Sequence, residues 1–288
     1  MNRHHKIEGV KQSEEDFILS LDIRLMKKHW ETYFLKDLSN SLAEVTSNLF
    51  ERNKPNFDIL ELLTGPEFRK IFAEAYSEAT KGSILNNFVV GTIAGSMTFG
   101  MSDIYTQKTV AQKVSELLPA KIQNNLQGKI ELMTQKLKNE ILQLLQDEFR
   151  MDSQDKKDNE AIKAINKEIL KIIDKIMKFR VVSFVKKLGF SQFSSKVAMY
   201  LIKAFTEGAT SSFLSNAFIV LNVAHSLYRN YTREDRIAQQ IDKAIKESAD
   251  SIKQSTNALY EELLQGLRQI QNMVYESIHE RMLDHPAT

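Results

Sequence analysis

Six histidines, at positions 4, 5, 29, 225, 279 and 285, are the side chains best suited to metal ligation or proton transfer, and their spacing supports little of either. His4 and His5 are adjacent in a polar stretch, without the preorganised third and fourth ligands that a metal site needs. His279, followed by Glu280, is separated from His285 by six positions, which on a helix sends the two imidazoles to different faces, unlike the i, i+4 pair of a zinc-protease helix. With no cysteine in the chain there is no thiolate ligand, no disulfide and no cysteine nucleophile. Thr80, Lys81, Gly82 and Ser83 have the residue types of a phosphate-binding loop without its glycine spacing. Gly91, Gly95 and Gly100 lie within an apolar run and lack the preceding strand of a dinucleotide fingerprint, and Ser96 has no strand-turn-helix context for a hydrolase nucleophile. Acids such as Glu140, Asp147 and Glu148 fall into ordinary helix-surface patterns beside lysines. The expected catalytic set, metal set and cofactor set are therefore all empty.

Two uncharged runs carry more information. Residues 82–102 and 208–228 each contain 21 positions without Asp, Glu, Lys or Arg, enough at helical rise to cross a hydrocarbon layer. Their hydrophobic centres are Phe88, Val89 and Val90 in the first and Phe218, Ile219, Val220 and Leu221 in the second. Gly91 and Gly95 form a small-xxx-small step that lets two helices approach closely, in a bundle core as in a bilayer. Asn86, Asn87, Asn216 and Asn222 dilute the runs, so they read as shielded central helices rather than constitutive spans. His225 lies inside the second run. It is either a hydrogen-bonded packing histidine or a pH-sensitive brake whose protonation would place a charge on an apolar segment.

The other distinctive set is basic. Lys163, Lys167, Lys171, Lys175 and Lys178 recur at steps of three and four residues, one stripe of a helix, opposite Ile162, Ile165, Ile169, Ile172, Ile173, Ile176 and Met177. Lys186 and Lys187 extend it. Across residues 161–205 ten Lys and Arg face two acids, a local charge of about +8 inside a chain of formal net charge +2. Such a face suits an anionic leaflet, with apolar side chains in the interface and ammonium groups at the phosphates, or else it is a solvated helix face. Nucleic acid is the weaker rival as a partner on these residues, because arginine is scarce and Phe179, Phe184, Phe190 and Phe193 lie where a core needs them.

The elements that position these groups are helical throughout. Ser13, ahead of Glu14, Glu15 and Asp16, has the pattern of an N-cap with an acidic first turn, and apolar residues from Phe17 to Leu49 follow at helical steps until positions 53–55 interrupt them. Pro66 suits the first turn of a new helix. Each uncharged run precedes a long amphipathic pattern, through Val110, Val114, Leu118, Ile122, Leu126 and Ile130 in one case and from Ile237 to Ile278 in the other. Pro119 and Gly128 should split the first of these into two segments. The same order of parts occurs twice, with Ala75-Tyr76-Ser77-Glu78 echoed by Ala204-Phe205-Thr206-Glu207, which points to an internal duplication. The expected fold is an all-α, elongated multi-helix bundle with long amphipathic helices and two central hydrophobic helices. Its expected divisions are a flexible tail at 1–12, a helical segment at 13–58, a hydrophobic-helix and long-helix unit at 59–150, a charged link and basic helix at 151–187, and a second unit at 188–288.

In outline this arrangement is similar to helical pore-forming or membrane-remodelling proteins, in which long helices shield an apolar segment until it meets lipid; the resemblance covers no diagnostic motif. It implies a non-enzymatic protein acting by membrane association or oligomeric assembly, with an anionic membrane surface or a partner protein as its counterpart, in a homo- or hetero-oligomer. The competing expectation is a soluble helical scaffold that binds a partner protein through its long helices. The stripe from Ile237 to Ile278, with Tyr260 and Tyr275 at its seam, packs either within the chain, which is the simpler reading, or across an oligomer. The N-terminal stretch has no apolar h-region, which fits a cytoplasmic or peripheral membrane location and leaves signal-independent export open.

Overall fold

The computed structural model describes residues 32–80, 99–148, 156–210 and 236–284, and every regular element among them is a helix. The fold is all-α. Helix α1 spans 32–53 and gives way to a 3-10 turn, Lys54–Phe57, where Pro55 removes a backbone donor. Helices α2 (Ile59–Thr64) and α3 (Pro66–Thr80) follow, then α4 (Phe99–Glu148) and α5 (Lys156–Ile176). A π turn, Met177–Val182, carries α5 into the short segment Ser183–Val185. Helix α6 (Ser191–Thr210), α7 (236–247) and α8 (Ala249–Asp284) complete the order.

Helix α4 corrects one expectation. Its 50 residues run without a break through Pro119 and Gly128. Packing explains why: Val114, Leu118, Ile122, Leu126 and Ile130 are all fully buried on both sides of the proline, so one missing backbone bond is set against five completely buried apolar side chains. A step of four residues overshoots a helical turn by about 40°, and the single step of three from Ile130 to Met133 brings the stripe back before it resumes at Leu137, Ile141 and Leu145.

The described residues form two compact units. The first draws on Met1–Glu51, Thr134–Ile176 and Gln265–Thr288. Its buried side chains come from α1 (Leu38, Leu42, Leu49), the second half of α4 (Leu137, Ile141), α5 (Ile169, Ile173) and the end of α8 (Ile270, Val274, Ile278). Lys138 on α4 forms an ion pair with Asp174 on α5 at 2.6 Å.

The second unit draws on Arg52–Met133 and Met177–Leu264. Here the start of α2 is secured twice. Asp58 Oδ1 accepts from the amides of Leu60 and Glu61, while the Ile59 amide donates to Thr256 Oγ1 on α8 at 3.2 Å. The Tyr260 hydroxyl donates to the Lys54 carbonyl, pinning the 3-10 turn to α8. Phe68 of α3 meets Phe193 of α6 with ring centroids 5.9 Å apart. Gln123 of α4 donates to the carbonyls of both Lys186 and Leu188, satisfying acceptors left by the helix that ends there. Tyr200 donates to the Glu247 carboxylate and Lys196 to the Glu247 carbonyl, joining α6 to α7.

A helix, then an uncharged run, then a long helical stretch occurs twice in this order. Phe68, Ile71 and Ala75 of α3 are buried at the same spacing as Val197, Tyr200 and Ala204 of α6. Beyond the runs the correspondence loosens: Ala111 is fully buried, whereas Ala238 is exposed, and Ser248 separates α7 from α8 where α4 is continuous.

Candidate functional site

The basic segment is built on α5 and its continuation. In a helix, residues two apart lie on opposite faces, so a core-facing series at four-residue spacing leaves a complementary series outside. Ile169, Ile173, Met177, Val181 and Val185 are the buried series. Strict four-residue spacing would wind such a stripe away from the core, and the wider π turn at Met177–Val182 lets Val181 and Val185 stay buried. The complementary positions are Lys163, Lys167, Lys171 and Lys175, all exposed, in the first unit. In the second unit Lys178, Lys186 and Lys187 are exposed as well. None of these seven ammonium groups forms an ion pair among the described residues.

Two acids that could mask this surface are occupied. Asp174 is held by Lys138, and Glu262 of α8 lies 2.6 Å from the Arg180 guanidinium. The pairings leave the lysine positions as the uncompensated charge of the segment. Three of its aromatics sit where a core needs them or partly so: Phe190 and Phe193 are buried and Phe184 is half-buried. Phe179 is a correction, since 71% of it is exposed. The sequence did contain the signal. Phe179 falls four residues after Lys175 and so continues the series 163, 167, 171, 175, two residues from each of the buried Met177 and Val181.

The burial pattern also revises how the basic helix can meet a surface. Its apolar face, Ile169, Ile173, Ile176 and Met177, is buried within the protein and is not available to an interface. What the segment presents outward is mainly ammonium groups, with Ala164, the Lys138-paired carboxylate of Asp174 and the Phe179 ring.

The remaining sites read from sequence fall elsewhere. Phe88, Val89, Val90, Gly91, Gly95, Phe218, Ile219, Val220, Leu221 and His225 lie outside the described residues. No helix among the described residues is long and apolar enough to cross a membrane, and no group of three or more His, Asp or Glu among them is placed to hold a metal ion. The apolar stripe of α8 is buried inside the chain, from Ile252 through Leu259, Leu263, Leu267 and Ile270 to Ile278. Its two tyrosines are likewise engaged internally, Tyr260 with Lys54 and Tyr275 stacked on His279 at 6.0 Å.

A groove of about 520 Å³ in the second unit is lined by Asp58, Glu61, Thr64, Asp242, Ile245 and Lys246. Its carboxylates have structural work nearby: Asp58 caps α2, and burial followed by the Asp58 and Glu61 charges pushes the Tyr260 phenol above its ordinary value.

No protein-family model matches the chain, and no curated protein or solved structure shows significant similarity to it.

Proposed function

We propose that this protein is a non-enzymatic helical protein that docks on anionic membrane surfaces through the lysines of residues 163–187. The observation that carries the reading is the division of this segment, in which every lysine is exposed and without an ion pair among the described residues while Ile169, Ile173 and Ile176 are buried and Ile165 and Ile172 half-buried. A lysine near an anionic leaflet contributes about 1 kcal/mol, so the four of the first unit supply about 4 kcal/mol, roughly a thousandfold in partitioning. Lysine suits this counterpart better than a protein partner. It is a flexible, hydrated point charge that tolerates a fluid array of headgroups, and it is depleted from the ordered centres of protein interfaces. The burial of the apolar stripes of α4 and α8 within the chain leaves those helices polar faces to offer a partner, which weighs against a scaffold acting through them. After docking, the uncharged residues 82–102 and 208–228 are the segments with the composition to follow into the apolar layer.

Co-sedimentation with vesicles tests this. Binding is expected to phosphatidylcholine vesicles containing phosphatidylserine at low salt, to fall steeply as salt is raised, and to be absent with phosphatidylcholine alone. Absence of binding to the anionic vesicles at low salt overturns the reading.

A further inference from the structure

Phe179 is a large apolar side chain held in water at a position where the preceding members of its series are lysines. Exposing it forfeits the stabilisation that burying a phenyl ring brings, and the helix has a neighbouring alternative, since Val181 and Val182 on the same turn are buried. The π turn fixes this outcome. By keeping Met177 and Val181 against the core, it directs the residue midway between them outward. Tyr33, Leu132 and Met199 are also exposed, but none of them stands at the end of a basic series.

We infer that Phe179 is the apolar anchor of the docking surface, its ring entering the boundary between headgroups and acyl chains of an anionic bilayer while Lys178, Lys186 and Lys187 remain at the phosphates. This rests on the docking function proposed above and adds to it the depth and the residue of insertion. Charge selects the occupant. Glu262 is already neutralised by Arg180, the next residue after Phe179, while Lys178 beside it in sequence and Lys186 and Lys187 further along are exposed and unpaired among the described residues, and an exposed ring in so basic a stretch fits a surface that is anionic outside and apolar a few ångströms within. An ordered acidic protein partner would be expected to enlist arginine, and the arginine at this turn is committed to α8. A single ring is the modest apolar contribution that, added to several lysines, converts a purely electrostatic encounter into a lodged one.

Because the chain contains no cysteine, Phe179→Cys carrying an environment-sensitive dye reports on this one position. Gln254→Cys with the same dye, at an exposed position of α8 outside the basic segment, serves as the control. With phosphatidylserine-containing vesicles the dye at 179 should shift to shorter wavelength and brighten, while the dye at 254 should change little. In unlabelled protein, Phe179→Ala should weaken vesicle binding by about tenfold and Phe179→Trp should preserve it, both with an unchanged melting temperature because the ring is largely exposed. If the labelled chain sediments with anionic vesicles and the dye at 179 does not shift, the anchor is refuted and electrostatic docking stands. If wild-type chain does not sediment with them at all, both fall. A dye response to single-stranded RNA or to an acidic polypeptide in place of vesicles would also overturn the assignment.

Discussion

The Lys129 ammonium of α4 lies 2.8 Å from Glu67 Oε2 at the start of α3, and Asn125, one turn earlier on α4, donates to Glu67 Oε1 at 2.9 Å. The hydrogen bond from Lys129 is the largest influence on this carboxyl and, with the one from Asn125 and the Lys129 and Lys70 charges, holds it below its ordinary value against the opposing effect of partial burial. A carboxyl depressed in the folded state contributes stability above its unfolded pKa, and that contribution disappears as pH falls through the folded value. Glu67→Gln should therefore be less stable than wild type at pH 7, by no more than about 1 kcal/mol because the pair is solvent-screened. The difference should vanish once pH drops well below 4.5, the ordinary value for this carboxyl. Urea denaturation at a series of pH values measures it, and a pH-independent difference would mean that Glu67 acts through packing alone.

Thr256 offers a sharper structural test. Its hydroxyl accepts from the buried Ile59 amide and donates to the Ile252 carbonyl, while Asp58 is occupied with the next two amides of α2. Thr256→Val keeps the shape and removes the acceptor, leaving a buried amide unpaired at a cost of about 1–3 kcal/mol. Thr256→Ser should recover most of it. Equal stability of the Val and Ser variants in equilibrium denaturation would show that the Ile59 amide finds another partner.

Much of this architecture is legible before any coordinates. The break after Asn53, the start of α3 at Pro66 and the two-sided character of α5 follow from the absent donor of proline and from helical period, which act locally. The continuity of α4 is not legible, because Pro119 and Gly128 are penalties written locally, whereas the buried stripe that outweighs them depends on partners remote in sequence. Phe179 was hidden for a different reason. Residue type alone assigns a phenylalanine to the core, while its register with Lys163 through Lys175 assigns it to the outside, and register prevails because a helix cannot turn one residue inward without displacing its neighbours.

Gly128 gives a stabilising substitution. It lies in the interior of α4, and a Cβ built on it meets nothing within 4 Å. Alanine there would restrict the unfolded chain and meet no obstacle in the folded one, so Gly128→Ala should stabilise by about 0.5–1 kcal/mol. Gly65 is the contrasting case, since a Cβ there would come within 3.0 Å of the Glu61 carbonyl oxygen. Thermal melts should move upward for Gly128→Ala and not for Gly65→Ala; a downward shift for Gly128→Ala would mean that α4 bends at this glycine in solution.

The docking surface itself is tested by reversing its charge. Lys167, Lys171 and Lys175 are exposed, and none is paired among the described residues, so replacing all three with Glu removes no buried contact and should leave the helical circular dichroism intact. At the membrane the same change replaces three attractions of about 1 kcal/mol each with repulsions, which should abolish sedimentation with anionic vesicles near 0.1 M salt, where charges beyond about 10 Å are already screened. Neutral replacement by Gln should give an intermediate loss and a shallower dependence on salt, because fewer charges then contribute to the encounter. Binding by the Glu variant at wild-type strength, with its circular dichroism unchanged, would remove this stripe from the mechanism and send the search to other faces of the chain.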